Sequence, residues 1–300
     1  MRYISVKDAA EKWSITPRVV RQYCEDDRVE GAFKAGSAWN IPEDAVKPER
    51  NKRTASSRDI PNDLLTRLRM EKESMLTGGI YHLLQIDFAY NSNHIEGSKL
   101  THDQTRYIYE TNTIGLEGET VNADDVIETV NHFRALDYII DHARQHISES
   151  MIKKLHLILK TGTQDSRRSW FAVGAYKKLE NEVGGMTTAR PEDVPEKMKD
   201  LIRQYNMSDN KTLKDLLDFH YRFERIHPFQ DGNGRVGRLI LFKECLRTGV
   251  LPFIIEDDIK LFYYRGLAEW PRQKGYLIGT AESQQNKFKE ILSYYHIRTD

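Results

Sequence analysis

The sequence predicts a mainly α-helical protein carrying one β-hairpin, preceded by a small unit of two short helices and a second hairpin. Three observations carry this expectation. Apolar residues recur at helical spacing through most long segments from about residue 62 onward. The stretch from Phe171 to Met186 breaks that habit, mixing Val, Tyr and Leu with glycines around a turn near Glu180-Asn181. The run from Lys47 to Arg58 is almost devoid of apolar side chains and reads as a solvated linker. The expected division is therefore a unit at 1–47, a linker at 48–60 and a larger domain at 61–300.

Composition bounds the function. The 300 residues hold 45 basic and 45 acidic side chains, which excludes a nucleic-acid binder working by bulk charge. With 39% apolar and 30% charged residues the chain can bury a sizeable core. No run approaches the roughly 18 apolar residues of a membrane span, and the start lacks an apolar signal core. Cys24 and Cys245 lie far apart on helical segments and read as reduced core thiols. The expected setting is the cytoplasm, with no membrane partner.

In the first unit, Ser5 and Asp8 have capping-box spacing, followed by Ala9, Ala10 and Trp13 on one face. Thr16-Pro17 starts a second helix, since proline at the first helical position loses no needed hydrogen bond. Phe33 to Ile41 alternates at strand period around Gly36-Ser37. Two helices and a hairpin make a winged helix-turn-helix. The phrases Ile4-Ser5-Val6-Lys7-Asp8-Ala9-Ala10 and Trp39-Asn40-Ile41-Pro42-Glu43-Asp44-Ala45 resemble the excisionase and MerR-like winged-helix family. That resemblance implies that Arg18, Arg21 and Gln22 face DNA from the second helix. Against it stand a basic excess of two over residues 1–53 (eleven basic, nine acidic) and the adjacent Asp26-Asp27, which would repel phosphate; a protein-contact or structural role is the alternative.

In the larger domain, Ile80, Leu83, Leu84 and Phe88 form one helical stripe ending at Gly97. Thr101 with Gln104, and Asn122 with Asp125, read as capping boxes opening two further helices. Stripes around Met151–Ile158, Val194–Ile202 and Leu213–Phe223 predict three more, and Ala281 to Tyr295 a polar-faced last one.

The chemistry concentrates at His227-Pro228-Phe229-Gln230-Asp231-Gly232-Asn233-Gly234-Arg235-Val236-Gly237-Arg238. Gly232-Asn233-Gly234 permits successive backbone amides to converge on one anion, and a glycine turn opening a helix favours phosphate. Arg235 and Arg238, three apart, could both grip phosphate oxygens. Asp231 suggests a magnesium ligand beside phosphates. His227, ending the preceding helix, is placed to act as general base on a hydroxyl.

This segment resembles the Fic family signature, His-Pro-Phe-x-Asp/Glu-Gly-Asn-Gly-Arg-x-x-Arg, at every fixed position, within a similarity extending over roughly residues 75 to 270. The resemblance implies a Fic-type helical bundle and transfer of AMP from ATP, with Mg2+, to a Tyr, Ser or Thr hydroxyl of a target protein or of the chain itself. It implies His227 as base, Phe229 as core anchor, Asp231 on the metal, and Gly232, Asn233, Gly234, Arg235 and Arg238 around the phosphates. Tyr263 and Tyr264, otherwise core residues, become candidates for the adenine pocket. Lys177, Lys178, Leu179 and Val183 fall on the flap that positions the target by strand pairing. The related Doc kinases carry lysine at the position of Gly234, so this sequence favours AMP transfer.

A subset of that family carries Ser/Thr-x-x-x-Glu-Gly/Asn on an inhibitory helix. Ser92-Asn93-His94-Ile95-Glu96-Gly97 fits, ending an apolar-faced helix; a second match, Thr113 to Gly118, sits in a glycine-flanked loop. The resemblance implies that Glu96 pairs with Arg238 in the space of the γ-phosphate. Two rival functions stay open: removal of AMP by water oriented on Glu96, and a DNA-binding regulator whose second domain senses nucleotide. The target, the oligomeric state, homo-oligomers included, and the signal that frees Glu96 are not legible.

Overall fold

A computed structural model describes residues 2–25, 28–36, 38–48, 61–115, 120–183 and 186–298, with the backbone alone at Gln22, Val183, Met186 and Thr187. Asp26-Asp27, Ser37, most of the expected linker and the second Ser/Thr-x-x-x-Glu-Gly match at Glu117 lie outside the described residues. The chain divides into two compact units, 1–60 and 61–300.

In the first unit the Ser5 side chain accepts the Asp8 amide while Asp8 accepts the Ser5 amide. This reciprocal cap, worth about 1 kcal/mol, starts α1 (Val6–Trp13); α2 (Pro17–Glu25) follows at the proline. The hairpin is β2 (Phe33–Ala35) with β3 (Ala38–Pro42). A two-residue strand, β1 (Tyr3–Ile4), adds to β3, giving a three-stranded antiparallel sheet of order β1-β3-β2. Ala9, Ala10, Trp13, Val20, Tyr23 and Ile41 form its core.

The second unit is mainly helical. Its helices are α3 (Leu64–Glu73), α4 (Ile80–Ile95), α5 (His102–Thr111), α6 (Ala123–Asp141), α7 (Glu149–Lys160), α8 (Val194–Tyr205), α9 (Leu213–Ile226), α10 (Asn233–Thr248), α11 (Lys260–Glu269) and α12 (Gly275–Tyr294). Helix α10 is buried along nearly its whole length and contacts α4, α6, α7 and α9, so the site at its N-terminus is held from four directions. The Thr101–Gln104 box forms as expected. Asn122 instead caps the Asp124 amide, because Asp125 accepts the amide of Lys99 from across the loop. Helix α12 starts six residues before the expected Ala281, since its first turns pack Leu277 into the core.

The expected hairpin is also corrected. Its strands are β4 (Glu182–Val183) and β5 (Met186–Thr187), with Glu182 opposite Thr187. Residues 171–181 form turns rather than a strand, because their backbone is spent on the His-Pro-Phe segment: the Lys177 amide donates to Pro228 O at 2.9 Å and the Leu179 amide to Gln230 Oε1 at 3.2 Å. No helix among the described residues is long and apolar enough to cross a membrane.

Candidate active site

The site is the turn between α9 and α10. Helix α9 ends at His227, whose backbone is left-handed (φ 52°), turning the chain sharply into Pro228 and Phe229. Phe229 is fully buried and stacks face to face on His156 of α7 at 4.0 Å. His156 Nδ1 accepts the Gly174 amide, which leaves Nε2–H to donate to the Asp231 carbonyl at 3.1 Å. Asn233 closes the turn from inside: its Oδ1 accepts the Phe229 amide and its Nδ2 donates to Phe229 O, both at 2.8 Å. Gly232, at φ 82°, makes the last bend before α10 begins. The amides of the first turn of α10 thus sit at a helix N-terminus whose own side-chain needs are already met.

His227 lies partly buried at the edge of this turn. Burial first, and the nearby Lys177 ammonium second, pull its imidazole down to about 4, so it is a neutral base near pH 7. Partial desolvation alone would raise the pKa of the half-exposed Asp231, but the Arg235 and Lys160 cations hold the carboxyl well below the usual range. Lys160 Nζ stands 2.6 Å and Arg235 Nη2 3.2 Å from Asp231 Oδ2.

The two arginines do not converge on one position. Arg235 is buried against Glu128 of α6 and reaches back to Asp231, so it shapes the acidic side of the loop. Arg238 points to the other side, where Nε donates to Ser92 Oγ at 3.0 Å and Nη2 to Ser92 O at 2.8 Å and Glu96 Oε1 at 2.7 Å. Ser92 is buried near the end of α4 and Glu96 is its C-cap, with Gly97 next at φ 102°. The Glu96 carboxylate also lies directly over Gly234: a Cβ there would collide with Glu96 Oε1. An anion therefore already occupies the mouth of the α10 N-terminus, paired with the arginine behind it.

Two expectations fail on burial. Tyr263 is 1% exposed, packed with Ile95 and Leu241, its hydroxyl 2.7 Å from His220 Nε2; a ring so enclosed cannot line an open adenine pocket. Tyr264 is partly exposed, and its hydroxyl donates to Ile95 O at 3.2 Å. Lys177 is 3% exposed, its ammonium bound to Asn181 Oδ1 and Thr188 Oγ1 at 2.6 Å each, so it braces the base of the β4–β5 hairpin rather than meeting a target. Lys178 and Leu179 are exposed beside it, and the Val183 side chain lies outside the described residues. Arg18 and Arg21 are exposed on α2, whereas the Gln22 side chain is not described.

Several contributors escaped the sequence. Glu128, Lys160, His156 and the buried carboxyl of Glu224 come to the loop from α6, α7 and α9. Burial pushes Glu224 up to about 8, with Arg238 opposing and Glu96 adding to the rise. His220 and His132 lie near Arg238 and are held neutral, both down at about 3, by burial first and then by that guanidinium. The pairing of Glu224 one helical turn after His220 is a sequence signal, but nothing local says that both point inward.

Among the described residues no group of three or more His, Cys, Asp or Glu side chains could cage a metal. Asp231 offers a hard oxygen donor from within the turn itself. That fits Mg2+, which takes one or two carboxylates and completes its shell with water and phosphate oxygens.

Residues 146–244 match the Fic/DOC family. The segment that holds the site is thus similar to a Fic domain. The chain is 30% identical over 186 residues to the protein adenylyltransferase Fic of Drosophila melanogaster, a stretch covering 59% of this chain and 36% of that protein. It thus spans about a third of the curated relatives it matches. Among solved structures, a Fic domain containing signaling protein from Bacteroides thetaiotaomicron superposes with a TM-score of 0.56 at 25% identity, covering 77% of this chain and 91% of that one. Fic-1 from C. elegans gives 0.60 at 22% identity over 77% and 70%, a likeness of fold.

Proposed function

We propose that the chain transfers AMP from ATP to a hydroxyl of a target protein or of itself, and that Glu96 holds it in a low-activity state. The observation that carries the reading is the neutral His227 beside a glycine turn whose helix N-terminus, backed by Arg238, already holds an anionic carboxylate. Adenylyltransferase relatives at 30% identity support the same reaction class.

In this mechanism the substrate phosphates take the position over Gly234, their charge met by the first amides of α10 and by Arg238. His227 takes the proton of the incoming hydroxyl as its oxygen bonds to the α-phosphorus. The bond to pyrophosphate breaks, and pyrophosphate leaves with the electron pair. Asp231 would hold Mg2+, which neutralises phosphate charge when bound. Arg235 is assigned to orienting Asp231 through Glu128. The target segment would pair with the edge of the β4–β5 hairpin, with Lys178, Leu179 and Val183 beside it and Lys177 bracing beneath. Tyr264 stays a candidate for the adenine side.

Inhibition follows from charge and space. The Glu96 carboxylate consumes Arg238 and repels a third phosphate. For residues 1–47, a role in DNA binding through the exposed Arg18 and Arg21, with Gln22 beside them, is the matching proposal; a mobility shift lost on replacing both arginines tests it.

Position-specific labelling tests the reaction. The Glu96→Gly protein, incubated with Mg2+, should take up label from α-labelled ATP and none from γ-labelled ATP. Uptake from the γ-position alone would replace AMP transfer with phosphoryl transfer.

A further inference from the structure

Beneath the catalytic turn lies a buried lysine that the proposed mechanism does not use. Lys160, the last residue of α7, is 2% exposed, and its stem runs under Gly232. Its ammonium meets Glu128 Oε1 at 2.5 Å, Asp231 Oδ2 at 2.6 Å and Asp165 Oδ2 at 3.6 Å, and lies 5.5 Å from the centre of the Phe171 ring. Asp231 therefore carries two resident cations, since Arg235 approaches the same Oδ2.

We propose that Lys160 is a positioning residue that acts as a built-in competitor for the divalent ion at Asp231, setting how tightly the nucleotide site takes metal. This rests on the assignment of Asp231 as the metal-holding carboxylate. A dication approaching the half-exposed Asp231 is repelled by an ammonium in hydrogen-bond contact with the same carboxylate, and that ammonium is itself shielded from screening counterions by its burial. Arg235 keeps its own hold on Asp231 through its bond to Glu128, so removing Lys160 takes away the competitor and leaves the carboxylate oriented.

The test uses the full chain and Mn2+ as probe, with unbound Mn2+ read by electron paramagnetic resonance in the presence of a non-hydrolysable ATP analogue. Lys160→Met should bind Mn2+ about tenfold more tightly than the unsubstituted protein, Lys160→Arg should stay near it, and Asp231→Asn should abolish the tight binding in either background. Equal or weaker binding by a folded Lys160→Met protein overturns the proposal. If the methionine variant does not fold, Lys160→Gln, which keeps a donor toward Glu128 without the charge, is judged by the same criterion. Tighter Mn2+ binding without any AMP transfer would leave this inference standing and remove the proposed reaction instead.

Discussion

At the scale of single residues, the site depends on protonation states set by burial. His227 titrates at about 4, and Glu96 is among the groups that raise it, so removing Glu96 does not shift the titration upward. A base that is neutral above that value should give the Glu96→Gly protein a transfer rate that is flat between pH 7 and 5. An unperturbed imidazole, near 6.5, would lose about tenfold by pH 5.5. A pH–rate profile separates the two. Glu224 gives an opposite and separable signature. Its folded-state pKa of about 8 lies above its unfolded value, so the stability it contributes is complete below about 4.5 and is lost as pH rises toward 8. Glu224→Gln removes that loss: its unfolding free energy should match the parent near pH 4.5 and exceed it by about 4 kcal/mol near pH 8. Denaturant melts at the two pH values check this, and a constant difference would show that the carboxyl is not held neutral.

At the scale of elements, the turn between α9 and α10 is built from within. Asn233 satisfies both backbone groups of Phe229, which is itself clamped by His156. Asn233→Ala leaves a buried amide and carbonyl unpaired, a cost of about 2 to 4 kcal/mol, and urea unfolding should show it together with loss of nucleotide binding. The motif from His227 to Arg238 was legible because its chemistry is local: base, turn and helix start are consecutive. Caps at Ser5 and Thr101 were legible for the same reason. What failed was long-range. Asp125 left its expected cap for Lys99, and Tyr263 and Lys177 proved buried. Residues 171–181 lost their expected strand to bonds with Pro228 and Gln230, some fifty residues away. Arg235 and Arg238 share sequence spacing suited to one anion, yet Glu128 and Glu96, about 107 and 142 residues distant, draw them apart.

At the scale of the whole molecule, helix order brings the end of α4 across the N-terminus of α10, so a carboxylate from early in the chain closes a site made late in it. The proposed regulation of the turn rests on that single contact. The measurement that tests it most directly compares initial rates of α-label incorporation for the parent, Glu96→Gly and Glu96→Gly/His227→Ala proteins at one Mg2+ and ATP concentration. The expected result is a rise of about tenfold or more on losing Glu96, equivalent to about 1.4 kcal/mol of relieved competition at Arg238, and a return to background when His227 is also replaced. Equal rates for parent and Glu96→Gly, or transfer that survives His227→Ala, would contradict it.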